Sequence, residues 1–148
     1  MKISDFLSPS NATIDVAAGD KQKLLQVLAG KAGATVDVPP DRILAELQKR
    51  EELGSTGVGG GVALPHARFQ QVGKPIGLLL RLRKAIDFDA VDGEPVDIVF
   101  LLLLPESGSK DQLGALASIS RKLRNPEVTT ALREARDGRE MYRALAVE

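Results

Sequence analysis

The sequence predicts a single α/β domain whose central sheet is covered by helices on both faces. A length of 148 residues suits one domain, since single domains most often contain about 100–150 residues. The run Val96–Leu104 is apolar at nearly every position, as in a strand that is buried on both sides. Segments with helical periodicity precede and follow it, without an internal repeat or a long linker. We therefore expect one domain over residues 1–148.

The first two helices are each marked by start and stop residues. Asp20 is placed to cap a helix over Asp20–Ala32, and Gly33 ends it. The pair Pro39-Pro40 starts a second helix, which ends near Arg50–Leu53.

The middle of the chain predicts a loop and three strands. Gly54–Gly61 is too flexible for a helix interior and indicates a shaped loop that enters a short strand at Val62–Leu64. A second strand is expected over Pro75–Lys84. The turn-rich, acidic segment Asp87–Pro95 joins it to the buried strand Val96–Leu104.

Three helical segments are expected after the buried strand. The first begins at Ser109 and is marked by four apolar positions: Leu113, Leu116, Ala117 and Leu123. Asn125-Pro126 supplies a cap and a first-turn proline for the second, and Gly138 separates it from a terminal helix.

The composition argues against several classes of function. Twenty basic and twenty acidic side chains cancel, so no global field would recruit nucleic acid or anionic lipid. The absence of cysteine removes disulfides, thiolate nucleophiles and Cys-ligated metals. The N-terminus lacks a secretory pattern, and the apolar run Ile98–Leu104 is far shorter than the roughly 20 residues that cross a bilayer. We expect a cytoplasmic protein with no nucleic-acid partner and no direct membrane insertion.

His66, the only histidine, is the strongest candidate for chemistry. It follows Pro65 at the end of the apolar run, so the imidazole should leave the strand end in a constrained direction. A glycine loop can bring backbone N–H groups, here at Gly57 and Gly59, close to an anion, and guanidinium groups bind phosphate. Further anion-binding candidates lie nearby in the sequence: Arg50, Ser55, Thr56 and Arg68. A histidine beside such a cradle suggests phosphoryl transfer.

Other interpretations of the same residues stay open. A lone histidine is more often structural than catalytic, and most arginines are solvated surface residues. A small hydrolase using Ser55 and His66 is compatible with their spacing, although the Gly-x-Ser-x-Gly elbow is absent. The loop lacks both the dinucleotide fingerprint and the Gly-Lys-Ser/Thr ending of a P-loop. One histidine and no nearby acidic pair also disfavour a metal site.

Two stretches of the chain resemble a known family. Arg50–His66 reads REELGSTGVGGGVALPH and resembles the active-site signature of the fructose-, mannitol- and nitrogen-type enzyme IIA domains of the bacterial phosphotransferase system. Asp87–Val96 reads DFDAVDGEPV and resembles the turn and strand entry of the same family. The resemblance covers essentially the whole chain and implies a mixed sheet flanked by helices, the mannitol-type enzyme IIA fold.

The resemblance also implies the site and its partners. His66 corresponds to the phosphorylated histidine, Arg50 helps to bind the phosphoryl group, and Ser55 and Thr56 line the site. Phosphate arrives from the small carrier HPr or from its nitrogen-branch relative, and no metal or cofactor is required. Sugar-branch members pass the phosphate to a IIB domain, whereas nitrogen-branch members regulate transporters, kinases and other proteins.

One position departs from the family pattern. Many members carry a second histidine in a His-Leu pair at the start of the third helix, and the corresponding pair here is Gln112-Leu113. Gln112 can donate a hydrogen bond to a phosphoryl oxygen or to His66, but it supplies no positive charge and carries no proton.

Three roles follow as hypotheses. A nitrogen-regulatory phosphocarrier is favoured over a sugar-specific component because no IIB, IIC or HPr module is fused to this sequence. The departure at Gln112 motivates a third role, an interaction module whose His66 is not phosphorylated. In each case we expect the partner to dock on an apolar patch rimmed by charge around His66, including the solvent-facing part of the third helix.

Overall fold

The computed structural model describes residues 1–106 and 110–147. Its strands are β1 Ala12–Val16, β2 Gly57–Gly59, β3 Val62–Ala63, β4 His66–Phe69, β5 Ile76–Ile86 and β6 Val96–Pro105. Its helices are α1 Lys21–Gly33, α2 Pro40–Glu52, α3 Lys110–Leu123, α4 Pro126–Glu134 and α5 Gly138–Ala146, and two short 3-10 turns lie at Ile3–Asp5 and Pro9–Asn11. No helix in this described part of the chain is long and apolar enough to span a membrane.

The six strands form one mixed sheet with β6 at its centre. The strand order is β1-β5-β6-β3-β2, and β4 also pairs with β6. Strand β5 runs antiparallel to β6, whereas β3 and β4 run parallel to it, one after the other along the same edge. The predicted α/β class and the mixed sheet are confirmed.

Both faces of β6 are covered by helices, as its apolar sequence predicts. Val99, Leu101 and Leu103 pack in the cluster formed with α1 and α2. The alternate residues, among them Ile98 and Phe100, pack in the cluster formed with α3, α4 and α5. The period of two along a strand therefore divides one apolar run between two cores.

The predicted helix starts are confirmed by their caps. The Asp20 carboxylate accepts a hydrogen bond from the Lys23 N–H at 2.8 Å, and the Asn125 side chain accepts one from the Glu127 N–H at 3.0 Å. Each cap satisfies a backbone donor that the first turn of a helix leaves without an intrahelical partner. Helix α2 begins at Pro40 and ends at Glu52, close to the predicted bounds.

The strands around the glycine segment differ from the prediction. Residues 57–59 form β2, which pairs antiparallel with β3, so part of the predicted loop is the first arm of a hairpin. The chain re-enters the sheet after Pro65, and His66 is therefore the first residue of β4 rather than the end of a strand. Proline interrupts a strand because it has no N–H to donate, but the chain can pair again beyond it. Strand β1 is also absent from the prediction, because its polar positions Thr13 and Asp15 weaken the apolar signal.

Two predictions in the C-terminal part need correction. The predicted start at Ser109 lies outside the described residues. Leu113, one of the four apolar positions that mark α3, is 70% exposed. The helix buries Gln112, Ala115 and Ile119, and of the four predicted apolar positions it buries Leu123. Gly138 is the first residue of α5 rather than a separator.

The start of α5 requires glycine because of close packing against β1. A Cβ atom on Gly138 would overlap the carbonyl oxygen of Ala12. Gly30, within α1, has no atom within 4 Å of the place where a Cβ would lie.

We predict opposite effects of alanine at these two glycines. Gly138→Ala should lower the free energy of unfolding by about 1–3 kcal/mol, because backbone atoms must shift to admit the methyl group. Gly30→Ala should raise it by up to about 1 kcal/mol, because alanine is the better helix former. Urea denaturation followed by circular dichroism measures both. A Gly138→Ala protein as stable as the wild type would contradict the packing described at β1.

Candidate functional site

The backbone at His66 is fixed by the central strand. His66 pairs with Leu102 of β6, and the Pro65 carbonyl accepts a hydrogen bond from the Leu102 N–H at 3.0 Å. The break between β3 and β4 therefore falls at Leu64 and Pro65, directly before the imidazole.

Two hydrogen bonds define the state of the imidazole. His66 Nδ1 lies 3.0 Å from the Leu64 carbonyl oxygen, which can only accept, so Nδ1 carries the proton. On the other side of the ring, the Arg50 Nε–H donates to His66 Nε2 at 3.4 Å. Both contacts select the tautomer with hydrogen on Nδ1 and a lone pair on Nε2.

The surroundings also keep the ring neutral. The pKa of His66 lies below its ordinary value of 6.5, chiefly because burial penalises the charged form. The Leu64 hydrogen bond and the Glu51 carboxylate raise the pKa, whereas the positive charges of Arg50 and Arg68 lower it. At neutral pH Nε2 is therefore unprotonated, and its lone pair accepts the Arg50 N–H.

His66 opens into a cleft of about 480 Å³ between α2, β4 and α3. Its lining is Glu46, Lys49, Arg50, Leu53, Ala67, Arg68, Leu104 and Leu116. Leu53 is 85% exposed, and Lys49 lies 3.8 Å from the Glu46 carboxylate. The cleft thus combines apolar side chains with a cationic rim, and α3 contributes one of the apolar members.

The structure brings three of the predicted site residues together. Arg50 stands in the last turn of α2, and its Nη1 donates to the Gly54 carbonyl at 2.9 Å, which holds the guanidinium beside the imidazole. Arg68 lies two residues beyond His66 on β4, and residues at this spacing share one face of a strand. Two guanidinium groups and an unprotonated nitrogen suit an anionic, electrophilic group such as a phosphoryl group.

The hydroxyl groups of Ser55 and Thr56 hydrogen-bond elsewhere. The Ser55 hydroxyl donates to the Phe88 carbonyl at 2.8 Å and accepts from the Gly57 N–H at 3.0 Å. The Thr56 hydroxyl donates to the Glu51 carboxylate at 2.5 Å. The predicted phosphate contact of these hydroxyls stays a prediction, and neither lines the cleft. The Ser55 contacts also supply no pairing with His66 of the kind that a hydrolase needs.

The two predicted glycines lie beside the acidic segment rather than in the cleft. A Cβ atom on Gly57 would fall 2.8 Å from the Ala90 Cα, so the hairpin and the segment around Ala90 pack backbone against backbone. Gly59 has a φ of +101°, and a Cβ there would lie 3.3 Å from the Asp92 carboxylate. These contacts account for both glycines by packing and backbone conformation, and their predicted role in binding phosphate stays a prediction.

Gln112 is buried at the start of α3. Its exposed fraction is 2%, and its Nε2 donates to the Pro105 carbonyl at 2.6 Å. It is not among the residues that line the cleft. The amide group therefore ties α3 to the end of β6, and its predicted hydrogen bond to His66 or phosphate stays a prediction.

Sequence reasoning missed Glu51, Lys21 and the Leu64 carbonyl. The Glu51 carboxylate accepts from the Thr56 N–H at 3.0 Å and lies 3.0 Å from Lys21 Nζ. The sequence did contain a signal for Glu51. It is an acidic residue near the C-terminal end of a helix, where cations are favoured, and such a residue indicates a buried cationic partner. No acidic or histidine cluster large enough to hold a metal ion occurs within residues 1–106 and 110–147.

Comparison with known proteins gives consistent matches over nearly the whole chain. Residues 5–147 match the family model described as phosphoenolpyruvate-dependent sugar phosphotransferase system, EIIA 2. A nitrogen regulatory protein of Bradyrhizobium diazoefficiens is 41% identical over 147 residues, which is 99% of this chain and 96% of that protein.

Two solved structures share the fold. The nitrogen regulatory protein IIA-Ntr of Neisseria meningitidis aligns with a TM-score of 0.91 at 31% identity, over 97% of this chain and 98% of that one. Mannitol enzyme IIA of Escherichia coli, in complex with phosphorylated enzyme IIB, aligns with a TM-score of 0.72 at 17% identity, over 91% of this chain and 94% of that one.

We predict that His66 titrates below pH 6.5 and is protonated on Nδ1 when neutral. Two-dimensional ¹H–¹⁵N spectra of the imidazole report both properties. In Arg50→Gln the pKa should rise, because a cation that opposes ring protonation is removed. Arg139→Gln, an exposed position on α5, is the matched control and should leave the titration unchanged. A neutral ring protonated on Nε2 would contradict the hydrogen bonds described here.

Proposed function

Because the chain belongs to the EIIA type 2 family of the phosphoenolpyruvate-dependent sugar phosphotransferase system, we propose that Nε2 of His66 accepts a phosphoryl group and passes it on. The chain is a phosphotransfer component of the nitrogen-regulatory type, as its similarity to nitrogen regulatory proteins indicates. In the proposed role, residues 1–148 act as one phosphocarrier domain in the cytoplasm, the compartment of phosphoenolpyruvate.

The observation that carries this proposal is the hydrogen bonding of the imidazole. Leu64 holds the proton on Nδ1, and burial keeps the ring neutral, so the nucleophilic lone pair is on Nε2. A nucleophile must be unprotonated and aligned with the electrophile before the transition state is reached. The first condition is met before any donor binds, and the β4 backbone and the Leu64 hydrogen bond fix the direction of the ring.

The proposed step is an in-line transfer between two histidines. The Nε2 lone pair forms a bond to phosphorus while the N–P bond of the donor breaks, and the electron pair of that bond returns to the donor's imidazole. The ring of His66 keeps its Nδ1 proton and gains positive charge, which the Leu64 carbonyl stabilises. No metal or cofactor enters the step.

Arg50 has two roles in this proposal. In the unphosphorylated protein the Arg50 Nε–H donates a hydrogen bond to His66 Nε2. When the phosphoryl group arrives, the same N–H donates to an equatorial phosphoryl oxygen instead. Its Nη1 stays on the Gly54 carbonyl, so the shift is small. Arg68, on the same strand as His66, supplies a second positive charge.

The proposed donor is a phosphohistidine carrier of the HPr type, most simply the nitrogen-branch relative of HPr. The proposed receiver is a protein regulated by the phosphorylation state, such as a transporter or a kinase. A IIB domain is the alternative receiver, and the mannitol IIA–IIB complex supplies a precedent on the same fold. The apolar and cationic cleft around His66 is the proposed docking surface.

We expect the wild-type protein to take up one phosphoryl group from phosphoenolpyruvate when enzyme I and the carrier are supplied. His66→Ala should take up none, because it lacks the acceptor nitrogen. Intact mass and the acid lability of the label measure the outcome. A folded wild type that stays unlabelled with several cognate carriers would favour the unphosphorylated interaction module instead.

Arg50→Gln should slow phosphoryl uptake by roughly 100-fold, because a preorganised donor to the transferred group is lost. Arg139→Gln is the matched control and should retain the wild-type rate. Rapid-quench kinetics with the phosphorylated carrier compare the two. Equal rates for both variants would remove Arg50 from the proposed mechanism.

The rate of uptake should also follow the protonation of the ring. Because the neutral form accepts phosphate and the pKa of His66 is lowered, we expect the rate to fall on acidification with a midpoint below pH 6.5. The phosphorylated carrier is prepared beforehand so that only this transfer is measured. A rate that halves near pH 7 would contradict the depressed pKa.

A further inference from the structure

Glu51 is a nearly buried carboxylate that the proposed transfer step does not use. Its side chain is only 7% exposed, and it accepts hydrogen bonds from the Thr56 N–H at 3.0 Å and the Thr56 hydroxyl at 2.5 Å. Lys21 Nζ lies 3.0 Å from the same carboxylate. A buried charge is costly unless it is paired and hydrogen-bonded, and Glu51 meets both requirements.

A continuous series of hydrogen bonds leads from Glu51 to the imidazole. Glu51 holds Thr56, and the Thr56 carbonyl accepts a hydrogen bond from the Leu64 N–H at 2.9 Å. The Leu64 carbonyl in turn accepts a hydrogen bond from the His66 Nδ1–H at 3.0 Å. Both backbone polar groups of Leu64 are therefore hydrogen-bonded, the N–H to Thr56 and the carbonyl to His66.

The series matters because Leu64 lies where the strand is interrupted. The residue pairs with β6 end at Ala63 on one side and resume at His66 on the other. Leu64 is therefore held by Thr56 rather than by a β6 partner, and the placement of Thr56 depends on Glu51.

A second set of contacts fixes the Lys21 end of the series. Lys21 Nζ lies 4.5 Å from the centroid of the Phe88 ring, and the Phe88 carbonyl accepts the Ser55 hydroxyl at 2.8 Å. Ser55, the neighbour of Thr56, is thereby hydrogen-bonded to Phe88, while Lys21 contacts both the Phe88 ring and the Glu51 carboxylate. Lys21 also lies 3.8 Å from the exposed Asp89 carboxylate, a weak contact in comparison with the buried pair.

We propose that Glu51 is a positioning residue for the acceptor, which holds the Thr56 and Leu64 backbone so that the His66 proton stays on Nδ1 and the lone pair on Nε2. Its effect on phosphoryl transfer rests on the proposed function, whereas its effect on the tautomer does not. Glu51 itself touches neither the ring nor the incoming group, so it acts through the Leu64 carbonyl.

The test compares Glu51→Gln with Glu52→Gln. Glutamine keeps the size of the side chain at position 51 but removes the charge that pairs with Lys21. Glu52 is the exposed neighbour and serves as the matched control. Imidazole ¹H–¹⁵N spectra without any carrier give the tautomer and the pKa, and rapid-quench kinetics give the rate of uptake.

In Glu51→Gln we expect a mixture of the two neutral tautomers and a His66 pKa below that of the wild type. The carboxylate and the Leu64 hydrogen bond both raise that pKa, so weakening them lowers it. The rate of phosphoryl uptake should fall by the same factor as the population of the Nδ1-protonated tautomer, because only that tautomer has its lone pair on Nε2. Glu52→Gln should match the wild type in all three measurements.

A second pair of variants keeps the proposal testable if Glu51→Gln does not fold. Thr56→Val removes the hydroxyl at similar volume, and Thr56→Ser retains it. The valine variant should shift the tautomer in the same direction as Glu51→Gln, and the serine variant should restore the wild-type spectrum. A merely structural role would lower the melting temperature in these variants without changing the tautomer.

The outcomes separate this proposal from the proposed function. A wild-type tautomer and pKa in both Glu51→Gln and Thr56→Val would overturn the positioning role, whatever the rate. An altered tautomer in a protein whose wild type takes up no phosphate would overturn the carrier role and leave the positioning of the ring established.

Discussion

The pairing of β6 is the constraint on which the rest of the structure depends. This strand is hydrogen-bonded along both edges, to β5 on one side and to β3 and β4 on the other. Its alternate residues fill two separate cores. A shift of its pairing register by one residue would therefore move each set of side chains into the opposite core. Because His66 is paired with Leu102, the same register that orders the cores also sets the depth of the imidazole. Fold stability and site geometry therefore share one cause.

Much of the fold could be predicted because its strongest signals are local. Asp20 and Asn125 cap helices through hydrogen bonds to residues two or three positions away. The continuous apolar run of β6 indicates a strand that is buried on both faces. The weaker elements lack such signals. Strand β1 includes polar residues, and Leu113 fits a helical apolar pattern although its side chain is exposed. Only tertiary contacts decide between these alternatives.

The parts of the site that consist of chemically distinctive side chains could be predicted from the sequence. The parts that consist of backbone groups could not. A single histidine directly after a proline and two residues before an arginine identified the candidate acceptor, and Arg50 lies beside it. The carbonyl that fixes the tautomer belongs to Leu64, and any residue type could supply it. Ser55, Thr56, Gly57 and Gly59 share the signature with His66, yet their contacts run to Glu51 and to the acidic segment. Proximity in sequence therefore does not by itself show which groups line the cleft with His66.

The charges of the cleft have a consequence for how a partner could distinguish the two states of the protein. Lys49, Arg50 and Arg68 outnumber the one lining carboxylate, Glu46, around a neutral ring. A phosphoryl group on Nε2 would bring about two negative charges, partly offset by the positive charge that the ring gains, so the local excess of positive charge would fall. The positive field would weaken without any movement of the sheet, and its reach is about 10 Å at 0.1 M salt. An acidic partner would then sense phosphorylation mainly through its rate of encounter, before any side chain touches the histidine.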